Sequence, residues 1–191
     1  MIDPLAFALA VVALLAAPGP TNALLAIAGA GGGWRDALPS VLAAPAAYLL
    51  AIAALTTALA PLAAHLPAAM TALRVACALY LMVVSVKLWR YSYQRNMATT
   101  PVSASAIFMT TLLNPKGFVL ATSVFPTGLG AFGLAPYFAG FATLCVAISL
   151  GWFSLGALAN NSNARAHCIF CRVGSLAMAG FSGLLSAAAL G

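Results

Sequence analysis

The sequence predicts an all-α integral membrane protein with six transmembrane helices, arranged as two inverted three-helix repeats whose first helices are broken. Three observations predict this fold class: only 5% of residues are charged, long apolar runs recur along the chain, and a break interrupts the first run of each half. A soluble domain is typically about 25% charged, so water is not the main solvent of this chain. Each span needs roughly 20 mostly apolar residues, so six spans with short connections use up the length.

The first half contains three predicted spans, at about residues 5–27, 38–61 and 67–89. Glycines at 29 and 31–33 end the first span, and Pro61 ends the second. Pro67 opens the third, because proline suits the first helical position, where its missing amide would have no partner anyway. The start of the chain lacks the basic region of a secretory signal and carries Asp3, so we expect the first span to be retained.

The second half contains the other three predicted spans, at about residues 102–125, 136–158 and 173–190. The polar stretch 90–101 separates the halves, and polar residues at 160–163 mark the last connection. We therefore expect a single transmembrane domain over residues 1–191, with repeat one at about 1–91, a basic cytoplasmic loop at about 90–101 and repeat two at about 102–191.

Basic residues are concentrated in alternate connections, which predicts the orientation. Connections one-two, three-four and five-six hold Arg35, Lys87, Arg90, Arg95, Arg165 and Arg172, whereas the opposite side holds Arg74. The side richer in basic residues normally faces the cytoplasm, so both termini should be periplasmic. The eight Lys and Arg residues form no run or patch, which argues against nucleic acid as a partner.

Two spans are interrupted near their midpoints. The sequence Pro-Gly-Pro at residues 18–20 breaks span one, and Asn-Pro-Lys-Gly at residues 114–117 breaks span four. At a rise of about 1.5 Å per residue, both breaks lie roughly 18 to 20 Å along their helices, near the bilayer midplane. Matching breaks in corresponding helices of inverted halves are typical of a transporter's binding site.

The second break is suited to an anion. Asn114 and Pro115 have the pattern of an N-cap and a first helical residue, which places the positive end of a half-helix in the membrane. Lys116 adds a charge that costs roughly 2.5 to 3.5 kcal/mol to bury in lipid, so it should face a cavity or a partner. The two acids, Asp3 and Asp36, lie near one end and in a connection. We predict that Lys116 and the half-helix ends bind a substrate carboxylate.

The substrate is expected to be small and zwitterionic, because no intramembrane acid is present to pair with a cationic side chain. Its ammonium group would contact neutral acceptors. The candidate substrate-binding residues are those of the two breaks and two tyrosines: Pro18, Gly19, Pro20, Thr21, Asn22, Asn114, Pro115, Lys116, Tyr48 and Tyr80.

Other function classes fit less well. An intramembrane enzyme needs a nucleophile, base or metal constellation, but His65 and His167 fall on opposite sides of the predicted membrane and no carboxylate pair exists. An exporter of metals or other small cations stays an alternative, although hard cations prefer oxygen ligands that the spans lack. A non-transporting scaffold is a further alternative, but helix packing alone does not require a buried lysine. We predict no cofactor and no metal site, since Cys168 and Cys171 with His167 supply too few ligands for closed zinc.

The chain resembles the lysine-exporter (LysE/RhtB-type) amino-acid efflux family. The motifs that carry the resemblance are Pro-Gly-Pro at 18–20, Ala-Leu-Tyr-Leu at 78–81 and Leu-Asn-Pro-Lys at 113–116, in the same order over nearly the whole chain. The resemblance implies a secondary-active exporter of amino acids or their derivatives in the bacterial inner membrane, driven by the proton gradient, and it allows a homodimer. Residues 21–25 and 35–39 look most like cysteine and O-acetylserine exporters.

Overall fold

The computed structural model describes residues 3–31, 37–56, 67–91, 102–126, 129–160, 172–176, 178–180, 182–183 and 186–187. The helices are α1 Pro4–Ala16, α2 Pro20–Gly31, α3 Ala37–Ala54, α4 Pro67–Tyr91, α5 Ala104–Leu112, α6 Pro115–Val119 and α7 Ala131–Asn160. Helix α6 continues as a π-helical stretch, Leu120–Val124, and the described part of residues 172–187 is also helical. These ranges contain no strand, so the all-α prediction is confirmed.

The helices are long and apolar enough for a membrane. Ala37–Ala54 and Phe132–Leu158 each qualify as a span alone, with mean hydropathies of 1.8 and 1.9, and α1 with α2 qualifies as one bent pair. Large apolar side chains cover the outer surface; Leu5, Leu79 and Leu158 are each more than 60% exposed. Since an apolar surface of this kind requires a nonaqueous environment, the chain is a multi-pass membrane protein. The number of six spans stays a prediction.

The predicted ends of the helices agree with the structure in most places. Helix α4 begins at Pro67 as expected, but α7 begins at Ala131, ahead of the predicted start at Pro136, which lies inside the helix. Pro136 is tolerated there because neighbouring groups in a membrane bundle satisfy the carbonyl that a proline frees. The expected end of span two at Pro61 lies outside the described residues.

Helix α2 is the centre of the bundle. Every residue from Pro20 to Ala30 is buried, as expected for a helix that is apolar on all sides. Its most extensive contact is with α7, where a Cβ on Gly29 would overlap the carbonyl oxygen of Phe153 and one on Gly156 would overlap that of Ala26. Glycines let two membrane helices approach at backbone distance, so α2 and α7 form a closely packed pair.

The two broken helices cross each other in opposite directions. The ring of Phe7 packs on that of Phe125, with centroids 5.4 Å apart, whereas Thr21 contacts Thr111 farther along α2 and earlier in α5. The predicted inverted repeats, 1–91 and 102–191, stay a prediction.

Serines join α4 to the C-terminal helical segment. Ser85 Oγ donates to the Ser175 carbonyl at 2.9 Å and Ser175 Oγ donates to the Ser85 carbonyl at 2.8 Å. Ser182 Oγ donates to the Ala78 carbonyl at 2.9 Å, so the two segments run antiparallel. Side-chain hydrogen bonds of this kind hold membrane helices together where lipid is as apolar as the helix surfaces.

The predicted orientation is not tested by the described residues. Arg172 lies over the ring of Trp89, with the guanidinium carbon 5.9 Å from the ring centroid, so the end of α4 adjoins the start of the C-terminal segment. Lys87 and Arg90, expected in connection three-four, lie in the last turns of α4. The following residues that bear on the connections lie outside the described ranges: Arg35, Asp36, His65, Arg95, Arg165, His167, Cys168 and Cys171.

Candidate functional site

The first break separates α1 from α2 and bends the chain by 62°. Helix α1 ends at Ala16, and the Ala17 amide makes its last bond, to the Ala13 carbonyl at 3.3 Å. Pro18 cannot donate a backbone hydrogen bond, and Pro20 is the first residue of α2. The last carbonyls of α1 therefore need partners from elsewhere in the protein.

The second break separates α5 from α6, and Asn114 caps the new helix as predicted. Its backbone is extended, with φ −80° and ψ 127°, and its Oδ1 accepts from the Lys116 amide at 3.0 Å. Pro115 is the first helical residue. This cap places the Lys116 side chain one residue into α6, facing the first break.

The two breaks meet at the carbonyl end of α1. Lys116 Nζ donates to the Ala17 carbonyl at 2.6 Å. The side-chain amide of Asn22 donates to the same oxygen at 2.9 Å and to the Leu15 carbonyl at 2.7 Å. The C-terminal end of a helix carries partial negative charge, so an ammonium group is stabilised there. Lys116 is only 5% exposed and thus lies inside the protein.

A second set of hydrogen bonds centres on Thr21. Its hydroxyl accepts from Thr111 Oγ1 at 3.0 Å and from the Asn114 side-chain amide at 3.1 Å. The Asn114 amide also donates to the Tyr48 hydroxyl at 3.2 Å. Thr21, Asn114 and Tyr48 are all buried, so these contacts link α2, α3 and the second break within the core.

Nine of the ten predicted site residues lie close together in the structure: the eight residues of the two breaks, and Tyr48. Tyr80 lies apart from them: its hydroxyl is 3.2 Å from that of Thr110, on a part of α5 next to the network but not hydrogen-bonded into it. Whether any of these residues binds substrate stays a prediction.

Two features of the site were not identified from the sequence. Thr111 lies three residues before Asn114, about one helical turn away. This spacing could have indicated that the two side chains lie close together. The Leu15 and Ala17 carbonyls are backbone groups, and the signal for them was the proline break, because any helix end leaves carbonyls without intrahelical partners.

The buried polar groups of the site are paired within the protein. Among the described residues, every buried side-chain nitrogen and oxygen has a hydrogen-bond partner. An apolar groove of about 460 Å³ lies between α1 and α7, lined by residues such as Phe7, Tyr137 and Leu144, but none of the polar site residues lines it. Any substrate at the breaks must therefore replace existing hydrogen bonds.

Comparison with known families agrees with this geometry. A model of the LysE type translocator family matches residues 12–187, which include both breaks. The chain belongs to the LysE type translocator family. Neither the curated proteins nor the solved structures gave a match.

Membership in the LysE type translocator family determines the general activity. The chain is a membrane transporter that exports amino acids or other small molecules, and its partners include a small-molecule substrate and the lipid bilayer. A family of transporters favours translocation over catalysis for the two breaks. The narrower resemblance to cysteine and O-acetylserine exporters stays a prediction.

Proposed function

We propose that this LysE type translocator is a secondary-active exporter of small amino acids or their derivatives, and that Lys116 binds the substrate's carboxylate at the junction of the two breaks. The observation that carries the proposal is a buried ammonium group whose hydrogen bond goes to a backbone carbonyl, that of Ala17, at 2.6 Å.

A substrate carboxylate would be a stronger partner for Lys116 than the Ala17 carbonyl. Hydrogen bonds between two charged groups are shorter and roughly twice as strong as neutral ones. The sequence has two acidic residues, and Asp3 is used at the opposite end of α1, where its Oδ1 accepts from the Leu5 amide at 3.0 Å. Asp36 lies in the connection after α2. An incoming carboxylate therefore supplies the full negative charge that the spans do not contain.

The same reasoning limits the substrate's side chain. A lysine-like substrate would bring a second cation near Lys116, and the spans contain no acid to offset the repulsion. This charge argument supports amino acids with uncharged side chains.

The wider setting belongs to the proposal as well. Six spans in two inverted repeats would let the halves rock about the fixed site, and the 62° bend at the first break supports a hinge there. The positions of basic residues support periplasmic termini and cytoplasmic basic loops in the bacterial inner membrane. The family resemblance supports coupling to the proton gradient and allows a homodimer.

Transport in vesicles tests the proposal. Proteoliposomes containing the purified chain would be assayed with alanine, cysteine, O-acetylserine, lysine and divalent metals, with and without a pH gradient. We expect transport of the small zwitterions, faster with the gradient. Lys116→Met should abolish it, Lys116→Arg should keep part of it, and Lys87→Met, on the exposed surface of α4, is the matched control.

Three outcomes would count against the proposal. A preference for lysine or for metal ions would contradict the substrate class, and full activity of Lys116→Met would contradict the role of the ammonium. Transport rates that do not change with the pH gradient would contradict proton coupling and leave the rest of the proposal intact.

A further inference from the structure

We propose that the Leu15 and Ala17 carbonyls, at the C-terminal end of α1, form the subsite for the substrate's ammonium group, and that Lys116 occupies this subsite until substrate arrives. The inference rests on the proposed function, in which Lys116 binds the carboxylate.

The subsite already holds positively charged and polar donors. The Lys116 ammonium lies 2.6 Å from the Ala17 carbonyl oxygen, and the Asn22 amide bridges that oxygen and the Leu15 carbonyl. Because both contacts of the Asn22 side chain are acceptors, its nitrogen must face them. Toward these two carbonyls Asn22 is thus a donor, through its amide nitrogen.

Two other neutral acceptors that the sequence suggested, Thr21 and Tyr48, already accept hydrogen bonds from other residues of the site. The Thr21 hydroxyl accepts from Thr111 and Asn114, and the Tyr48 hydroxyl accepts from Asn114. The helix-end carbonyls have a further advantage, since the partial negative charge of a helix C-terminus favours a cation. Carbonyls at broken helices are known to coordinate cations in transporters.

Binding of a zwitterion would then be an exchange of partners. The Lys116 ammonium leaves the Ala17 carbonyl and pairs with the substrate carboxylate, and the substrate ammonium takes the vacated carbonyl. The net charge of the site does not change, and each charged group keeps a partner. Asn22 continues to donate to the two carbonyls and so holds them in position.

The exchange predicts selection for both charged groups together. A carboxylate without an ammonium group would draw Lys116 away and leave the Ala17 carbonyl with one donor fewer. An amine without a carboxylate would place two cations at one carbonyl, which is unfavourable. Either defect should weaken binding by at least about tenfold, since a polar group left unpaired in a buried site is costly.

Competition assays with matched derivatives test the inference. The small amino acid that is transported fastest in the panel above would be labelled, and competed with its unlabelled form, its N-acetyl form, its des-amino acid and its decarboxylated amine. For alanine these are N-acetylalanine, propionate and ethylamine. We expect only the complete zwitterion to compete well with wild-type protein.

Two variants sharpen the test. In Lys116→Met, which we expect not to transport, binding of labelled ethylamine and of labelled alanine to the purified variant is measured directly. The carbonyls lose their internal cation, so the affinity for ethylamine relative to that for alanine should rise by about tenfold or more compared with wild type. In Asn22→Asp a carboxylate beside Lys116 should also raise the affinity for ethylamine relative to that for alanine. This second variant provides the test if Lys116→Met does not fold. Both variants would be checked for monodispersity in detergent.

The outcomes separate the two ideas. If N-acetylalanine competes as well as alanine while Lys116→Met is inactive, the ammonium subsite is overturned and the carboxylate site remains. If ethylamine does not gain on alanine in either folded variant, the exchange at Ala17 is also overturned. If the wild-type protein transports no small amino acid, the proposed function itself fails.

Discussion

The side-chain amide of Asn114 donates a hydrogen bond of 3.1 Å to the hydroxyl of Thr21, and so connects the break in the second half of the chain to the break in the first. The opposite atom of the same amide, Oδ1, caps α6 at the Lys116 backbone. One buried residue therefore begins the half-helix that carries the lysine and fixes that half-helix against α2. This double role explains how a short helix can position a charge inside a membrane protein.

Asn114→Ala should lower both stability and export. Loss of the cap costs about 1 kcal/mol, and loss of the bonds to Thr21 and Tyr48 frees Lys116 from its position. Asn114→Asp is the matched variant, because aspartate is an equally good cap but cannot donate to the two hydroxyls. We expect Asp to recover thermal stability in detergent without recovering transport. Recovery of both by Asp would show that the cap alone matters.

Thr111→Val should reduce transport more than it reduces stability. Valine keeps the shape but removes the hydroxyl, which lies 3.0 Å from that of Thr21 and 2.7 Å from the Ile107 carbonyl one turn back. A side-chain hydrogen bond between helices is worth roughly 0.6 kcal/mol in membrane proteins. Thr143→Val is the control, because Thr143 is exposed and its hydroxyl bonds only one turn back, to the Ala139 carbonyl at 2.9 Å. Initial rates and unfolding temperatures of both variants would be compared. Equal effects of the two changes on rate would argue against a role for Thr111 in the site.

Gly156→Ala should be strongly destabilising. The added methyl group would overlap the Ala26 carbonyl oxygen, so α2 and α7 would have to separate, at a cost of about 1 to 3 kcal/mol. Gly151→Ala, on the same helix, has open space around it and should be neutral or slightly stabilising. Denaturation in detergent micelles measures both. A Gly156→Ala protein as stable as Gly151→Ala would mean that the helices are not so closely packed.

Ser85 and Ser175 should be energetically coupled. Each hydroxyl donates to the other residue's carbonyl, and the two hydroxyl oxygens are 3.1 Å apart, so removing one hydroxyl changes the surroundings of the other. A double-mutant cycle of Ser85→Ala and Ser175→Ala should give a coupling energy of about 0.6 kcal/mol or more. Unfolding in mixed micelles is the appropriate measurement. Additive effects of the two substitutions would show that the two hydroxyls, whose oxygens lie 3.1 Å apart, do not influence each other.

Much of the site was predictable because it depends on local chemistry. The pattern Asn-Pro-Lys at residues 114–116 specifies a cap, a first turn and a charge, and the structure confirms the cap and the burial of Lys116. Pro18 likewise specifies where α1 must end. Tyr80 shows the limit of this reasoning, because its position within a family motif did not reveal that its hydroxyl contacts Thr110.

The sequence by itself determined that the chain is an α-helical membrane protein, that two helices break, and that the spans contain a lysine without an acid. These features follow from composition and from proline geometry, which act within a few residues. Only the tertiary structure decided that Lys116 contacts the Ala17 carbonyl and that Gly29 and Gly156 bring α2 against α7. Contacts between residues so far apart depend on how helices cross, and a helix crossing is set by the packing of whole surfaces rather than by any local pattern.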